Sequence, residues 1–226
     1  MHTPCSPQPL PPCPFRFPDP RDFGPDGLVA AGGDFRPEAI IAAYRAGIFP
    51  WPHPSEEYLW FSPDPRAIIP LNGPHISRRL ERTIRQGRFR VTLDAAFADV
   101  ITACGIRDES TWITPALRRA YLRLHQLGWA HSFEVWSPEG ILTGGLYGVG
   151  VGALFGAESM FHRATDASKI AMVAMMDYAR RIGLQLVDIQ VLTPHTASMG
   201  AVEVPRATYL ARLREVLAHQ VDWRTM

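Results

Sequence analysis

What the chain lacks narrows it first. Its three cysteines, Cys5, Cys13 and Cys104, form no CxxC pair and are odd in number, which argues against a disulfide framework or a zinc site and fits a reducing cytoplasm. A formal net charge of +1 over 226 residues gives no overall pull towards nucleic acid or anionic lipid, so a polyanionic partner has to be met by a local cluster. No apolar run approaches the length of a membrane span, and the opening residues MHTPCSPQPLPPCP lack the apolar h-region of a signal peptide. That Pro-rich opening reads as a mobile tail rather than a proline-recognition ligand. No internal repeat recurs at a fixed period.

Familiar catalytic signatures are missing too. GGLYGVGVGALFG fails the dinucleotide pattern GxGxxG, since Phe155 stands where the third glycine belongs. AESMF around Ser159 has no flanking glycines for a nucleophile elbow. The histidines are scattered, with no HExxH and no cysteine at ligand spacing, so neither a metal nor a cofactor is expected. His131 and His195 read as structural or surface groups.

What is present is a globular composition, 46% hydrophobic and 20% charged, enough for one substantial core or a core with a small satellite. GDFRPEAIIAAYRAG predicts a short helix with Pro37 at its first position and Gly47 as its stop. The Pro-rich aromatic stretch IFPWPHPSEEYLWFSPDPRAIIP predicts an irregular connector and a domain boundary. Ser77 should cap a helix ending at Gly87, Asp94 should cap AAFADVITACG, and Thr114 and Pro115 open the clearest helix, with apolar residues at Leu117, Tyr121, Leu124 and Leu127. AHSFEVW, ILTGGLYGV and GALFGAESMF follow as strands, then a helix capped near Asp166, the strand LQLVDIQ and a helix from Pro205. This order points to an α+β fold in which helices cover one face of a mixed sheet.

Three constellations stand out. Arg78, Arg79, Arg82, Arg85, Arg88 and Arg90 are opposed only by Glu81, and positions 78, 82 and 85 share a helix side able to track phosphates; a solvated helix face is the plainer alternative. Trp51, Trp60, Phe61 and Trp112 lie in polar or Pro-rich surroundings, where a ring can either fill a core or stack on a nucleobase. In LVDIQ, alternation puts Leu186, Asp188 and Gln190 on one face and Val187, Ile189 and Val191 on the other. A carboxylate and an amide two residues apart would then face one cleft, with Glu158 as a third candidate. Asp188 could equally cap a helix or pair with an arginine.

The segments GLVAAGGDFRPEAIIAAYRAGIFPW, FSPDPRAIIP, HISRRL, TWITPALRRAYLRLHQLGWAHSFEVW, GGLYGV, ESMFHRATDASKIA and VDIQVLTPHTASMGAVEVPR resemble, in order and spacing, the leucyl/phenylalanyl-tRNA–protein transferase family. The resemblance covers about Phe15 to Leu217. It implies a small N-terminal domain over 15–64 and a GNAT-like acyltransferase domain over 65–226, after a tail at 1–14. It also implies transfer of leucine or phenylalanine, sometimes methionine, from aminoacyl-tRNA to an N-terminal arginine or lysine, creating an N-degron, by a cytoplasmic monomer without ATP or cofactor. Carried over residue by residue, Gln190 would orient the attacking amine, and Asp188 and Glu158 would hold the acceptor's cationic side chain. Leu146, Phe155, Met160, Met172 and Val187 would line the donor pocket. Trp51 and Trp112 would hold the terminal adenosine, and Arg78, Arg79, Arg82 and Arg85 would contact the acceptor stem.

Departures from the family pattern fall at Ala157 and His162, where glycine and serine are common, and at Ala179 and Ile189, the last expected to point into the core. Two rivals are a coenzyme A-dependent N-acyltransferase, which would need a glycine-rich pyrophosphate loop that FHRATDASK does not offer, and a noncatalytic RNA-binding module, which would leave Glu158, Asp188 and Gln190 idle.

Overall fold

Glycine spacing in GGLYGVG sets the centre of the molecule, because it lets helices close on the sheet from both sides. The structure is a computed structural model describing residues 6–52, 58–72, 74–106 and 111–223. In chain order its strands are β1 (Leu28–Ala31), β2 (Phe49–Pro50), β3 (Leu59–Phe61), β4 (Arg66–Ile69), β5 (Arg90–Leu93), β6 (Ala130–Trp136), β7 (Leu142–Val151), β8 (Leu154–His162), β9 (Leu186–Gln190) and β10 (Val202–Val204). Its α-helices are α1 (Pro37–Arg45), α2 (Arg78–Arg85), α3 (Phe97–Gly105), α4 (Pro115–Gln126), α5 (Ala167–Ile182), α6 (Pro194–Ala197) and α7 (Arg206–Leu217).

A seven-stranded sheet runs β10-β4-β9-β8-β7-β6-β5, and a three-stranded one runs β1-β3-β2. The β8–β9 pair is parallel, with α5 as the crossover, and the other pairs are antiparallel, so the large sheet is mixed and the class is α+β, as expected. The expectation that helices cover only one face is corrected. Every residue of β7 is buried. Leu186, Tyr147 and Val149 belong to a core with α1, α3, α4 and α7, while Val187, Ile189 and Leu146 belong to a second with α5. A Cβ at Gly144 would sit 2.6 Å from the Ala167 Cβ, and one at Gly145 would sit 3.2 Å from the Val100 Cγ2, so β7 carries glycine where α5 and α3 press closest.

Caps follow the sequence at Ser77, whose hydroxyl accepts from the Leu80 amide at 3.2 Å, and at Thr114, which accepts from Leu117 at 3.2 Å. Asp166 stands at the N-cap of α5 but makes no side-chain capping hydrogen bond, and Asp94 does not cap α3. At φ 58° its carboxylate instead takes the Ser132 amide at 2.9 Å and the His131 Nδ1 at 2.7 Å. The free amides before α3, at Ala95 and Ala96, go to Glu134 from β6, both at 3.3 Å. A buried carboxylate across the sheet thus does what the nearby aspartate was expected to do.

The Pro-rich connector is likewise not irregular throughout. It supplies β2, β3 and β4, with Trp60 wholly buried against Phe17 and Phe35, so that ring fills core. Residues 6–14 of the expected mobile tail are docked: the Gln8 amide donates to Leu127 O at 2.8 Å, and Trp129 Nε1 donates to Gln8 O at 2.9 Å. Residues 1–5, including Cys5, lie outside the described residues. Among the described residues, no helix is long and apolar enough to cross a membrane.

Candidate active site

β9 enters the middle of the sheet between β4 and β8 and ends abruptly at Gln190. Gln190 has φ 60°, and the Val191 amide donates to Ile189 O at 2.7 Å, a γ-turn centred on a non-glycine residue. Such a backbone costs on the order of 1–3 kcal/mol and persists only when its surroundings hold it. Asp188 does the holding: its Oδ1 accepts from the Gln190 amide at 2.9 Å.

Asp188 is itself clamped. Arg66 on β4 donates Nε to Oδ1 at 2.8 Å and Nη2 to Oδ2 at 2.6 Å, and the Tyr209 hydroxyl of α7 donates to Oδ2 at 2.8 Å. Both members of the ion pair are 0% exposed. Arg66 also donates to Gly47 O at 3.1 Å and lies over the rings of Phe49 and Tyr209, at 4.7 and 4.5 Å from their centroids. A bidentate, fully desolvated guanidinium–carboxylate pair of this kind is geometrically stiff. Alternation therefore placed Asp188 and Gln190 on one face correctly, but the Asp188 carboxylate faces an arginine rather than open space.

Glu158 on β8 sits beside Gln190, whose Nε2 donates to Oε1 at 3.4 Å. The Tyr121 hydroxyl of α4 donates to Oε2 at 2.9 Å, and the Tyr44 hydroxyl of α1 donates to Oε1. Tyr44 reaches this point past Gly156, where a Cβ would come within 2.6 Å of its ring. Burial first, then the negative charge of Asp188, pushes the Glu158 carboxyl well above its usual range. Burial also raises the Tyr121 hydroxyl.

A cavity of about 230 Å³ opens beside this group. Leu146, Ala157, Met160 and Ile189 give it an apolar wall, and Glu158, Ser159, Thr193 and His195 give it polar groups. The five residues expected in a donor pocket all contribute to one apolar cluster. Leu146 and Met160 reach the cavity, whereas Phe155, Met172 and Val187 lie behind its wall, each 0% exposed. Ile189 lines the cavity as well as the core, which corrects the expectation that it points only inward. Ala179 is buried in the same cluster.

Trp51 is exposed and lies edge-on to Phe61 at 5.7 Å. Trp112 is half-buried against the first core. Among the described residues, no ring contact joins the two tryptophans. Arg78, Arg79, Arg82 and Arg85 are all exposed on α2. Arg79 reaches Asp166 at 3.5 Å and Arg85 reaches Glu81 at 3.8 Å, which leaves Arg78 and Arg82 without a carboxylate partner among the described residues. No group of three or more His, Cys, Asp or Glu side chains is arranged to hold a metal ion, again among the described residues.

Sequence reasoning did not single out Arg66, Tyr44, Tyr121 or Tyr209 for this cluster, and it read His195, which lines the cavity, as a structural or surface group. A usable signal existed for Arg66: like Asp188, it is a lone charge in an apolar run, RAII, and two such charges need each other. The tyrosines read as members of apolar helix stripes, which leaves their hydroxyls unnoticed.

A family profile described as leucyl/phenylalanyl-tRNA protein transferase matches residues 68–214, and one described as the N-terminal domain of that protein matches residues 33–64. The chain is similar to proteins named leucyl/phenylalanyl-tRNA–protein transferase. That of Anaeromyxobacter dehalogenans strain 2CP-C is 51% identical over 205 residues, covering 89% of this chain and 88% of the relative. That of Proteus mirabilis strain HI4320 is 50% identical over 202 residues, covering 88% and 87%. That of Aromatoleum aromaticum strain EbN1 is 52% identical over 192 residues, covering 84% and 81%.

Proposed function

The chain belongs to the leucyl/phenylalanyl-tRNA–protein transferase family and is an aminoacyltransferase, and from that premise we propose that it moves leucine or phenylalanine, and sometimes methionine, from aminoacyl-tRNA to the N-terminal arginine or lysine of a protein. The product would be an N-degron that marks the acceptor for degradation, made in the cytoplasm by a monomer. The observation that carries this reading is the Gln190–Glu158 hydrogen bond, 3.4 Å long, at the edge of an apolar cavity. It sets a polar pair for an amine and a cation beside a pocket for an apolar side chain.

An aminoacyl ester is already activated, so positioning does most of the work and neither ATP nor coenzyme is required. With its amide nitrogen committed to Glu158, Gln190 keeps its amide oxygen as an acceptor that orients the attacking amine. Burial, then the charge of Asp188, favours the neutral form of Glu158 in the empty site; a guanidinium or ammonium brought beside it favours the carboxylate and binds through a charge-assisted hydrogen bond. Asp188 acts one step removed, holding the γ-turn that aims Gln190. Leu146 and Met160, backed by Phe155, Met172 and Val187, receive the donor side chain, and a flexible thioether suits both a branched and a flat occupant. Trp51 and Trp112 would stack on the 3′ adenosine, and the Arg78–Arg82 edge of α2 would meet acceptor-stem phosphates, which position without reading sequence.

The test uses labelled Leu-tRNA and Phe-tRNA, a peptide starting with arginine, and no ATP. Label should pass to the peptide. Transfer that appears only on adding an acyl-coenzyme A, or tRNA binding with no transfer, would overturn the reading.

A further inference from the structure

We infer that His195 carries the proton from the attacking acceptor amine to the leaving ribose oxygen, an inference that rests on the transfer reaction above and adds a residue to it. The sequence gives this histidine no signature, yet the fold sets its side chain in the wall of the cavity that holds Glu158, Leu146 and Met160. The γ-turn at Gln190 and the short helix α6 bring it there. Thr193 and Thr196 form a reciprocal cap across that helix, with the Thr193 hydroxyl accepting from the Thr196 amide at 3.1 Å and the Thr193 amide donating to Thr196 Oγ1 at 3.0 Å. Ser198 Oγ donates to His195 O at 2.7 Å. The backbone bearing the imidazole is therefore fixed on both sides, as a proton carrier of defined reach requires.

The other polar groups of the cavity are poorly suited to the task. Ser159 and Thr193 carry hydroxyls that are not basic near neutral pH. Glu158 is bonded to Tyr44, Tyr121 and Gln190 and, with the acceptor bound, is taken up by its cationic side chain. Asp188, on β9, lies outside the cavity lining and is closed off by Arg66. The titratable groups facing the imidazole are Lys169 from α5 and His162 from the end of β8, with Glu158 from β8 in the same cavity. Burial first, then Lys169 and His162, holds the imidazole below its usual value of 6.5. It is therefore neutral and able to accept a proton where the acceptor amine begins to lose its own.

The step balances within these groups. The amine nitrogen bonds to the ester carbon, and the carbonyl electrons move to its oxygen. The nitrogen's proton passes to the imidazole. When the tetrahedral centre collapses, the carbon–ribose oxygen bond breaks, the oxygen leaves with the electron pair, and the imidazolium returns the proton to it. No oxidant, metal or further reactant is needed.

The test measures single-turnover transfer from Phe-tRNA to subsaturating Arg-peptide as a function of pH, for wild type, His195→Gln and His195→Ala. With amine and imidazole both required in their neutral forms, the logarithm of the wild-type rate should climb with slope about two at the acid end and about one above it. His195→Gln should be slower by roughly 10²-fold or more, with slope about one throughout and tRNA binding unchanged. Added imidazole should restore part of the His195→Ala rate. Transfer by His195→Gln within about threefold of wild type, where a proton carrier is worth roughly 10²–10⁴, would overturn the inference alone. So would slower transfer with the wild-type slopes and no imidazole rescue, which marks a structural role. A wild-type protein that transfers nothing would instead overturn the assigned reaction, and this inference with it.

Discussion

Replacing Arg66 by methionine should destabilise the protein and disarm Gln190 by separable routes. Arg66 and Asp188 are both 0% exposed and joined by two hydrogen bonds of 2.8 and 2.6 Å, so the single change strands a carboxylate in the core with only the Tyr209 hydroxyl and the Gln190 amide for company. Breaking a buried pair in this way costs about 3–5 kcal/mol, and at about 2–4 °C per kcal/mol for a chain of this size, Tm should fall by roughly 6–20 °C. The double variant Arg66→Met with Asp188→Leu removes both charges, and replacement of a buried pair by apolar groups is often near neutral. The Tyr209 hydroxyl, the Gln190 amide and the Gly47 carbonyl would still lose partners at about 1–3 kcal/mol each, so recovery should be partial. Activity should not recover with stability, because the γ-turn at Gln190 has lost its acceptor, while tRNA affinity stays nearly intact. Urea unfolding at constant m-value, run beside the single-turnover transfer assay, measures both effects. A loss below about 1 kcal/mol for Arg66→Met would show that the pair is not desolvated as argued, and wild-type transfer by the double variant would show that Asp188 does not position Gln190.

Two further outcomes are expected. Glu158 is raised above its usual 4.5 in the folded protein, so the folded state binds that proton more tightly than the unfolded chain. Its contribution is fully present below the unfolded value and is lost as pH climbs through the raised one. Glu158→Gln removes this dependence, so the variant's urea midpoint should gain on wild type between pH ~5 and ~8, and a constant difference would refute the assignment. Arg82→Ala should weaken tRNA binding and make its salt dependence shallower by roughly 0.9 in log–log slope, with Arg79→Ala, already engaged with Asp166, showing less; an unchanged slope for Arg82→Ala would mean that α2 does not track phosphates.

Local chemistry in the sequence determined most of the elements. Proline at position 37, Ser77 and Thr114 name helix starts because a first-turn proline brings no amide to be left unpaired, and a side-chain acceptor satisfies one, wherever the chain goes. The strand period fixed which residues of LVDIQ share a face, and the family resemblance extended that reading to a reaction. Tertiary structure alone decided the rest, since it depends on partners far away in the chain. Asp94 yielded its capping role to Glu134, which reaches α3 from β6. The connector after α1 became strands because β1, β9 and β10, distant in the chain, paired with it. Asp188 was open to capping, catalysis or an arginine, and Arg66, 122 residues earlier, supplied the arginine. Tyr44, Tyr121 and His195 look like two apolar stripe positions and a stray histidine until the fold closes. Only then do the two hydroxyls meet Glu158 and the imidazole reach the cavity wall, because periodicity records which face a side chain takes but not what waits on the other side.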